Sequence, residues 1–164
     1  MTCSRDSPSG PADPRRRHDA FPGSVGLTPP TEQVRRQMQA QKTTGTKIEL
    51  QVRRGLHGRG YRYRVDRKLL PDHAFRGDIV WSGRRTVVFL DGCFWHGCPV
   101  HGVAPKSNRD WWRAKIEGNR ERDRRVDEVL RQRGWTVLRF WEHDDPVVIV
   151  ESIIDRLAAN GRQH

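Results

Sequence analysis

One short stretch of this chain holds more reactive side chains than any other part of it. The stretch runs from Val87 to His101 and reads VVFLDGCFWHGCPVH. It starts as an apolar strand and continues into a loop with two cysteines, two histidines, an aspartate and an aromatic pair. So many reactive groups at the end of one buried strand predict a functional site rather than ordinary core.

Length and charge limit what the chain can be. Its 164 residues suffice for one domain with a sizeable core, but not for two full domains. The formal net charge is +11, and arginine supplies most of it. This balance favours a polyanionic partner, most simply nucleic acid, over the alternative of a soluble protein that merely carries many arginines.

The beginning of the chain lacks the periodicity of a packed domain. Residues 1–30 are rich in Pro, Gly, Ser and Arg, which predicts a disordered basic arm. A short helix with Val34 and Met38 can form over residues 31–41, and we expect the segment 31–45 to contact DNA. The alternative is an unstructured tail without a role. A single folded domain is expected over residues 31–160.

Cysteine usage and hydropathy bear on the compartment. The three cysteines are Cys3, Cys93 and Cys98, an odd number, and no apolar signal segment follows Met1. Both features argue against secretion and a disulfide framework. No apolar run approaches 18 residues, so a membrane span is excluded. The expected location is the cytoplasm, in association with the nucleoid.

The apolar pattern predicts the order helix, three strands, helix, strand, helix, which is a mixed α/β fold. Thr46 and Glu49 have the spacing of a capping box at the first helix. The predicted elements are a helix that begins after residue 46 and ends near 58, strands 61–65, 77–81 and 86–90, a helix over about 108–132, a strand 136–141, and a final helix with Val147, Val148, Ile149, Ile153 and Leu157.

The cysteines and histidines have the spacing of a metal site. Cys93, Cys98 and His101 offer three ligands within nine residues, directly after a strand. His143 follows the strand predicted to lie beside that one, so it is the expected fourth ligand of a structural Cys2His2 zinc site. His96 is a competing ligand, and two buried thiols near an unrelated histidine are the alternative without metal.

A second group is acidic. Asp78 begins one predicted strand, and Asp91 and His96 follow the next, so a hairpin of these strands brings all three to one end of the sheet. Such an aspartate can bind Mg²⁺, and the histidine can activate water or protonate a leaving oxygen. The alternative is that Asp78 is only a turn residue.

The aromatic pair Phe94 and Trp95 stands between a predicted zinc ligand and His96. Large apolar side chains on a stiff loop in a basic surface can insert between DNA base steps. Two aromatic residues of the core are the alternative.

Three runs of the sequence carry a resemblance to a known family. They read VFLDGCFWH over residues 88–96, DWWRAKIEGNRERDRR over 110–125, and GWTVL followed by WEH over 134–143. In this order they resemble the very-short-patch repair DNA mismatch endonucleases, and the similarity extends over about residues 38–143. The GCFWH core is highly specific.

The resemblance implies a restriction-endonuclease-like fold, with a central mixed sheet flanked by helices and a structural zinc site. It implies a Mg²⁺-dependent nick 5′ of the thymine in a T:G mismatch, which arises when 5-methylcytosine is deaminated. The implied partner is double-stranded DNA with such a mismatch. A monomer is expected, with a functional link to a cytosine-5 methyltransferase and to a repair polymerase and ligase.

The resemblance also implies roles for individual residues. Asp78 matches the aspartate that binds Mg²⁺, together with the backbone carbonyl of Leu90. His96 matches the histidine that activates the attacking water, and Glu49 matches a glutamate that supports the site through metal-bound water. Asp91 is counted with the catalytic group. The family's zinc ligands correspond to Cys93, Cys98, His101 and His143.

Further residues match the positions that recognise the mismatch. Phe94, Trp95 and Trp112 correspond to aromatic residues that insert into the duplex. Lys115 and Asn119, one helical turn apart, correspond to the pair that reads the mispaired bases. Met38 is assigned to the same recognition surface.

The sequence departs from the family pattern near the metal site. Gly77 replaces a frequent proline, and Leu90 and Asp91 replace a threonine and a histidine. Asp91 therefore adds a negative charge that either strengthens metal binding or repels DNA. His143 stands in place of a cysteine. The Glu-x-Lys motif of related nucleases is absent, so proton transfer is assigned to His96.

Two other classes of function are compatible with these residues. A restriction-type endonuclease of the same fold would cut both strands of DNA without a mismatch. A zinc-stabilised DNA-binding protein would bind without cleavage, but the pairing of Asp78 with His96 disfavours it.

Overall fold

The computed structural model describes residues 45–101 and 108–161, together with Thr31 and Arg36. The predicted arm over residues 1–30 and Met38 lie outside the described residues, as does most of the segment 31–45. The helices are α1 (Lys47–Gly58), α2 (Arg109–Gln132) and α3 (Pro146–Gly161), and the strands are β1 (Arg64–Lys68), β2 (Arg76–Trp81), β3 (Thr86–Asp91) and β4 (Thr136–Trp141). A 3₁₀ turn over Ser82–Arg84 joins β2 to β3.

Helix α1 begins at the predicted capping box. The backbone N–H of Glu49 donates to Oγ1 of Thr46 at 3.4 Å, and the Glu49 carboxylate accepts the N–H of Gly45 at 2.9 Å. The first bond satisfies a backbone donor of the first turn, and the second ties the residue before the N-cap to Glu49. Glu49 is thereby held at the start of the helix, where it is almost fully buried.

The sheet has the strand order β1-β2-β3-β4. Strands β1 and β2 are antiparallel, as are β2 and β3, whereas β3 and β4 are parallel. The prediction of a hairpin before residue 91, with the 136–141 strand beside it, is confirmed. Asp91 pairs with Trp141 in the register of β3 and β4, so the loops after these two strands leave the sheet side by side.

Helices cover both faces of the sheet. On one face, α1 and α3 pack against Ile79 of β2 and Val88 of β3. On the other face, Val126 and Leu130 of α2 pack against Val87 of β3. The predicted mixed α/β architecture is therefore confirmed. None of the helices within the described residues is long and apolar enough to cross a membrane.

The first strand lies further along the chain than predicted. We expected it over residues 61–65, but pairing with β2 begins at Arg64. The tyrosines before it serve the core instead, because the Tyr63 hydroxyl donates to the carbonyl of Arg53 at 2.8 Å and its ring contacts Trp81 edge to face. The alternation of Tyr and Arg therefore did not mark a paired strand.

The final helix buries fewer residues than the sequence suggested. Val147 and Val148 are exposed, at 58% and 61% of their surface. They lie in the first turn of α3, and the buried face begins only one residue later. The fully or almost fully buried residues of α3 are Ile149, Val150, Ile153 and Leu157.

Candidate active site and metal site

Asp78 lies where the pairing between β2 and β3 stops. The registered pairs end at Ile79 and Val88. Beyond them, the backbone N–H of Leu90 donates to Oδ2 of Asp78 at 2.8 Å. A carboxylate thus takes the position of a strand partner, and Asp78 and Leu90 lie together at the end of the sheet.

Gly77 explains how the chain enters this position. A Cβ at Gly77 would lie 2.3 Å from Cγ2 of Val87, which is far inside van der Waals contact. The backbone before Asp78 therefore packs directly on the core, and only glycine fits there without a shift of the surroundings.

The surroundings of Asp78 are poor in water and rich in negative charge. Burial raises the pKa of Asp78 to about 7; the hydrogen bond from Leu90 opposes this rise, and the carboxylates of Glu49 and Asp91 add to it. Glu49 is itself paired with Arg53 at 2.7 Å. A desolvated carboxyl among other carboxylates is stabilised in its ionised form by a bound cation. This donor set fits a divalent metal ion with oxygen ligands.

His96 pairs with an aspartate of α2. Its Nδ1 lies 2.5 Å from Oδ2 of Asp123 and 3.7 Å from Oδ1 of Asp91. Burial opposes ionisation of Asp123, but the hydrogen bond with His96 and the positive charges of Arg139 and Arg122 help to outweigh it, and the pKa of Asp123 is lowered. Because the carboxylate engages Nδ1, Nε2 is the ring nitrogen that could exchange a proton with a bound molecule, an arrangement also found where an acid orients a histidine.

Asp123 and Arg139 also lie at the site, although no sequence pattern indicated a role for either residue. Asp123 follows Asn119 by four residues, so helical spacing could have placed it on the same face of α2. Arg139 is the one charged residue of β4 and donates to both oxygens of Asp91 at 2.8 Å. A charged residue inside an otherwise uncharged strand was the available signal.

The four predicted zinc ligands lie together. One ligand atom from each of Cys93, Cys98, His101 and His143 lies within 4.8 Å of the others. Nδ1 of His143 is 3.0 Å from Sγ of Cys93 and 3.8 Å from Sγ of Cys98. With metal bonds of about 2.0 Å to nitrogen and 2.3 Å to sulfur, neighbouring ligands of a tetrahedral zinc ion lie roughly 3.5 Å apart. The group therefore fits zinc, whereas His96 is turned to Asp123.

Neighbouring acids hold this group in place. The backbone N–H of Cys93 donates to Oε1 of Glu142 at 2.7 Å. Nε2 of His143 lies 3.5 Å from Oδ1 of Asp144, the outer carboxylate that commonly orients a metal-binding histidine. Burial and the adjacent Cys98 raise the pKa of the Cys93 thiol. A cation bound by this group would offset the cost of ionising Cys93.

The predicted DNA-inserting residues form one aromatic cluster. The ring centroids of Phe94 and Trp95 lie 5.0 Å apart, and that of Trp112 lies 5.1 Å from Phe94. Trp112 contacts Trp111 at 4.9 Å, and both are buried. Phe94 and Trp95 are only partly buried, so they form the outer layer of the cluster, with Trp112 behind them.

Helix α2 fixes the loop that carries these rings. Nδ2 of Asn119 donates to the carbonyl of Trp95 at 2.8 Å. Arg120 donates to the carbonyls of His96 and Gly97. Lys115, one turn before Asn119, is only 4% exposed. The structure thus brings the predicted reading pair and the aromatic cluster to the same side of α2, while Met38 lies outside the described residues.

Comparison with known proteins gives a consistent family. The sequence profile described as "DNA mismatch endonuclease Vsr" matches residues 29–101, which include Asp78 and His96. The type II nicking enzyme V.NaeI of Lentzea aerocolonigenes is 46% identical over 124 residues, covering 74% of this chain and 75% of that protein. V.XorIIP of Xanthomonas oryzae pv. oryzae, also a type II nicking enzyme, is 45% identical over 113 residues, covering 68% and 80%.

A third relative comes from Escherichia coli. Its DNA mismatch endonuclease Vsr is 40% identical over 107 residues, which cover 64% of this chain and 66% of that protein. The similarity to V.NaeI spans three quarters of that enzyme at nearly half identity, far more than a shared motif requires. The chain therefore belongs to the Vsr family of DNA mismatch endonucleases.

Proposed function

We propose that this protein is a Mg²⁺-dependent DNA endonuclease that nicks 5′ of the thymine in T:G mismatches left by deamination of 5-methylcytosine. The observation that carries the proposal is the grouping of acid and base at one end of the sheet. Asp91 is within electrostatic reach of Asp78 and 3.7 Å from His96, which Asp123 holds by Nδ1. Family membership supports nuclease chemistry on DNA.

Asp78 and the backbone carbonyl of Leu90 are the proposed Mg²⁺ ligands, and Glu49 supports them from the first turn of α1. When bound, Mg²⁺ neutralises charge that develops on the phosphate during hydrolysis. Asp78 suits this role because it is buried beside the carboxylates of Glu49 and Asp91, so that a bound cation would favour its ionised form. The mixed sheet with helices on both faces is compatible with a restriction-endonuclease-like core.

His96 is the proposed general base. Asp123 accepts a hydrogen bond from Nδ1, which orients the ring and stabilises the charge that His96 acquires. Nε2 then takes a proton from the water that attacks the phosphorus, and the bond to the 3′ oxygen breaks as this oxygen accepts a proton from solvent. The side chain is only 21% exposed, so the ring is held rather than free to turn in solvent.

Zinc is proposed as a structural ion bound by Cys93, Cys98, His101 and His143. It would fix the loop between β3 and α2, which also carries Phe94 and Trp95. These two rings are proposed to insert beside the mismatch, supported by Trp112, while Lys115 and Asn119 read the mispaired bases. Zinc would therefore stiffen the recognition loop without a part in hydrolysis.

The proposal also covers the oligomeric state, the additional DNA contacts, the location and the partners of the protein. A monomer over residues 31–160 would bind the duplex, with the segment 31–45 and Met38 as additional DNA contacts and residues 1–30 as a disordered arm. The protein would act in the cytoplasm, after a cytosine-5 methyltransferase and before a repair polymerase and ligase. The relatives named type II nicking enzymes support cleavage of one strand over a double-strand cut.

A plasmid assay tests this function. A closed circular plasmid with one T:G pair is incubated with protein and Mg²⁺, and the topological forms are separated. The proposal predicts conversion to nicked circles, no linear product, and no reaction of the matched plasmid. Asp78→Asn should be inactive, and Asp155→Asn, which changes an exposed acid of α3, should behave as wild type. Linear product from the matched plasmid would instead identify a restriction-type enzyme, and binding without cleavage a DNA-binding protein.

A further inference from the structure

Arg139 contacts three carboxylates in the neighbourhood of His96. Its Nη1 donates to both oxygens of Asp91 at 2.8 Å, and its Nε donates to Oδ1 of Asp127 at 2.9 Å. Nη2 lies 3.7 Å from Oδ1 of Asp123. Asp91 belongs to β3, whereas the other two acids belong to α2. A single guanidinium of β4 therefore joins the end of the sheet to the helix that orients His96.

This network depends on the shape of an arginine side chain. A guanidinium presents several donors in one plane and can bind more than one carboxylate, whereas a lysine ammonium is a single point charge. The carbon of the Arg139 guanidinium also lies 4.4 Å from the centre of the Phe89 ring, and the side chain is 21% exposed. Packing on the Phe89 ring fixes the plane of the Arg139 guanidinium, from which it contacts the three carboxylates.

Arg139 also determines what Asp91 can do. Asp91 follows Leu90, so a free carboxylate here would lie beside the proposed Mg²⁺ site. Both of its oxygens are instead engaged by Arg139, and its side chain is 12% exposed. The charge of Asp91 is thereby compensated within the protein. The ion pair offsets part of the negative charge of Asp91 and so reduces its repulsion of a DNA phosphate.

The second branch of the network leads to His96. Oδ2 of Asp123 pairs with Nδ1 of His96, and Oδ1 of Asp123 lies near the guanidinium groups of Arg139 and Arg122. Its two oxygens thus have different partners on two sides, which fixes the plane of the carboxylate. An acid held in this way restricts the rotation of the imidazole that it binds.

We propose that Arg139 is a positioning residue of the nicking reaction, which compensates Asp91 and fixes Asp123 against Nδ1 of His96. The inference rests on the proposed function, in which His96 is the base. It assigns to Arg139 no contact with DNA or metal. Loss of Arg139 should therefore lower the rate of the chemical step and leave DNA binding largely unchanged.

The test uses the full-length protein and four variants. Arg139→Met removes the charge but keeps much of the side-chain length, and Arg139→Lys keeps the charge but loses the planar fork. Asp91→Asn combined with Arg139→Met removes the carboxylate that the first variant leaves unpaired. Arg131→Met is the matched control. Arg131 lies in the last turn of α2, its side chain is 60% exposed, and its Nη2 lies 3.3 Å from Oδ2 of Asp127.

Single-turnover nicking at saturating DNA, with binding measured separately, gives the first readout. Arg139→Met should lower the rate constant about 100-fold, the scale expected when a reacting group is displaced by about 1 Å, with DNA affinity changed less than about threefold. Arg139→Lys and the double variant should each recover part of the rate. Arg131→Met should match wild type. Wild-type rates in both Arg139 variants, or a loss confined to DNA affinity, would overturn the proposal.

NMR of ¹⁵N-histidine-labelled protein gives a readout that does not depend on activity or Mg²⁺. Wild-type His96 should show a proton bound to Nδ1 and protected by Asp123, assigned by its loss in His96→Ala. In Arg139→Met, this signal should disappear or broaden, while the signals of the His143 ring should remain unchanged. An unchanged His96 signal would overturn the inference. If the wild-type protein does not nick T:G DNA, the proposed function fails, but the His96 signal still decides whether Arg139 positions the ring.

Discussion

The backbone N–H of Leu90 donates to Oδ2 of Asp78 at 2.8 Å, where β2 and β3 cease to pair. The neighbouring strand, rather than solvent, therefore holds the carboxylate on which the proposed chemistry depends. Fixing an acid in a poorly hydrated position has a cost in stability, because its ionised form loses water. The same cost favours a cation at this point.

Asp78→Asn should abolish nicking and stabilise the metal-free protein at pH 8. The folded-state pKa of Asp78 is about 7, above its usual 3.8, so its contribution to stability is present at low pH and is lost as the pH rises through 7. At about 1.4 kcal/mol per pKa unit, the effect is on the order of a few kcal/mol. Thermal unfolding should give the variant a Tm advantage over wild type that is larger at pH 8 than at pH 5.

Asp155→Asn is the control for this comparison, since Asp155 is an exposed acid of α3. It should leave the difference between pH 5 and pH 8 unchanged. Mg²⁺ should raise the Tm of wild type at pH 8 and have little effect on Asp78→Asn. A variant that is less stable than wild type at pH 8 would contradict the assignment of Asp78 as a desolvated acid.

His96→Ala and Asp123→Asn should lower the rate of nicking to different extents. Loss of the base should reduce the rate about 10³-fold, and loss of the orienting carboxylate about 10²-fold, within the range known for general-base catalysis. Single-turnover assays on T:G duplexes measure both. Neither residue is a proposed zinc ligand, so both variants should retain zinc and a cooperative unfolding transition. Wild-type rates for Asp123→Asn would show that the pair with His96 has no catalytic part.

Cys93→Ser should destabilise the protein and release the proposed zinc ion. Structural zinc contributes directly to folding, and each kcal/mol shifts the Tm of a chain of this size by roughly 2–4 °C, so a fall of about 10 °C is expected. Elemental analysis should find one zinc per wild-type chain and less than that in the variant. Cys3→Ser is the control, because Cys3 is not one of the four proposed ligands. Equal zinc content and Tm in the two variants would contradict a structural ion at Cys93.

Phe94→Ala and Trp95→Ala should weaken recognition of the mismatch without loss of zinc. Both rings form the outer layer of the aromatic cluster, and unstacking of a base step requires a few kcal/mol that inserted rings offset. A fluorescent base beside the mismatch should brighten when wild type binds, and should do so much less with either variant. A full fluorescence change with both variants would mean that the rings belong to the core alone.

The sequence reasoning succeeded where local patterns decide the structure. The capping box of α1, the hairpin of β2 and β3, and the approach of His143 to Cys93 and Cys98 all follow from spacing and from the rule that neighbouring strands end together. The position of β1 was wrong because Tyr61 and Tyr63 pack on the core beside α1. Their alternation resembled a strand, but tertiary packing outweighed the local pattern.

The charge network was beyond the reach of sequence reasoning. Asp91 was expected to strengthen metal binding or to repel DNA, because its partner could not be identified. Arg139 is 48 residues away, and the parallel pairing of β3 and β4 brings it to Asp91. Asp123 likewise reaches His96 only because α2 packs on the sheet, with Val126 and Leu130 against Val87. Pairings of this kind depend on topology, which spacing alone does not define.

A nicking assay on end-labelled duplexes tests the central claim most directly. One duplex has a T:G pair, its control has T:A at the same position, and each is incubated with Mg²⁺ and wild-type or Asp78→Asn protein. We predict a single cut 5′ of the thymine, in the thymine strand only, with the T:G duplex and wild-type protein alone. Three results would contradict the account: a cut in the T:A duplex, cuts in both strands of the T:G duplex, or a cut by Asp78→Asn protein.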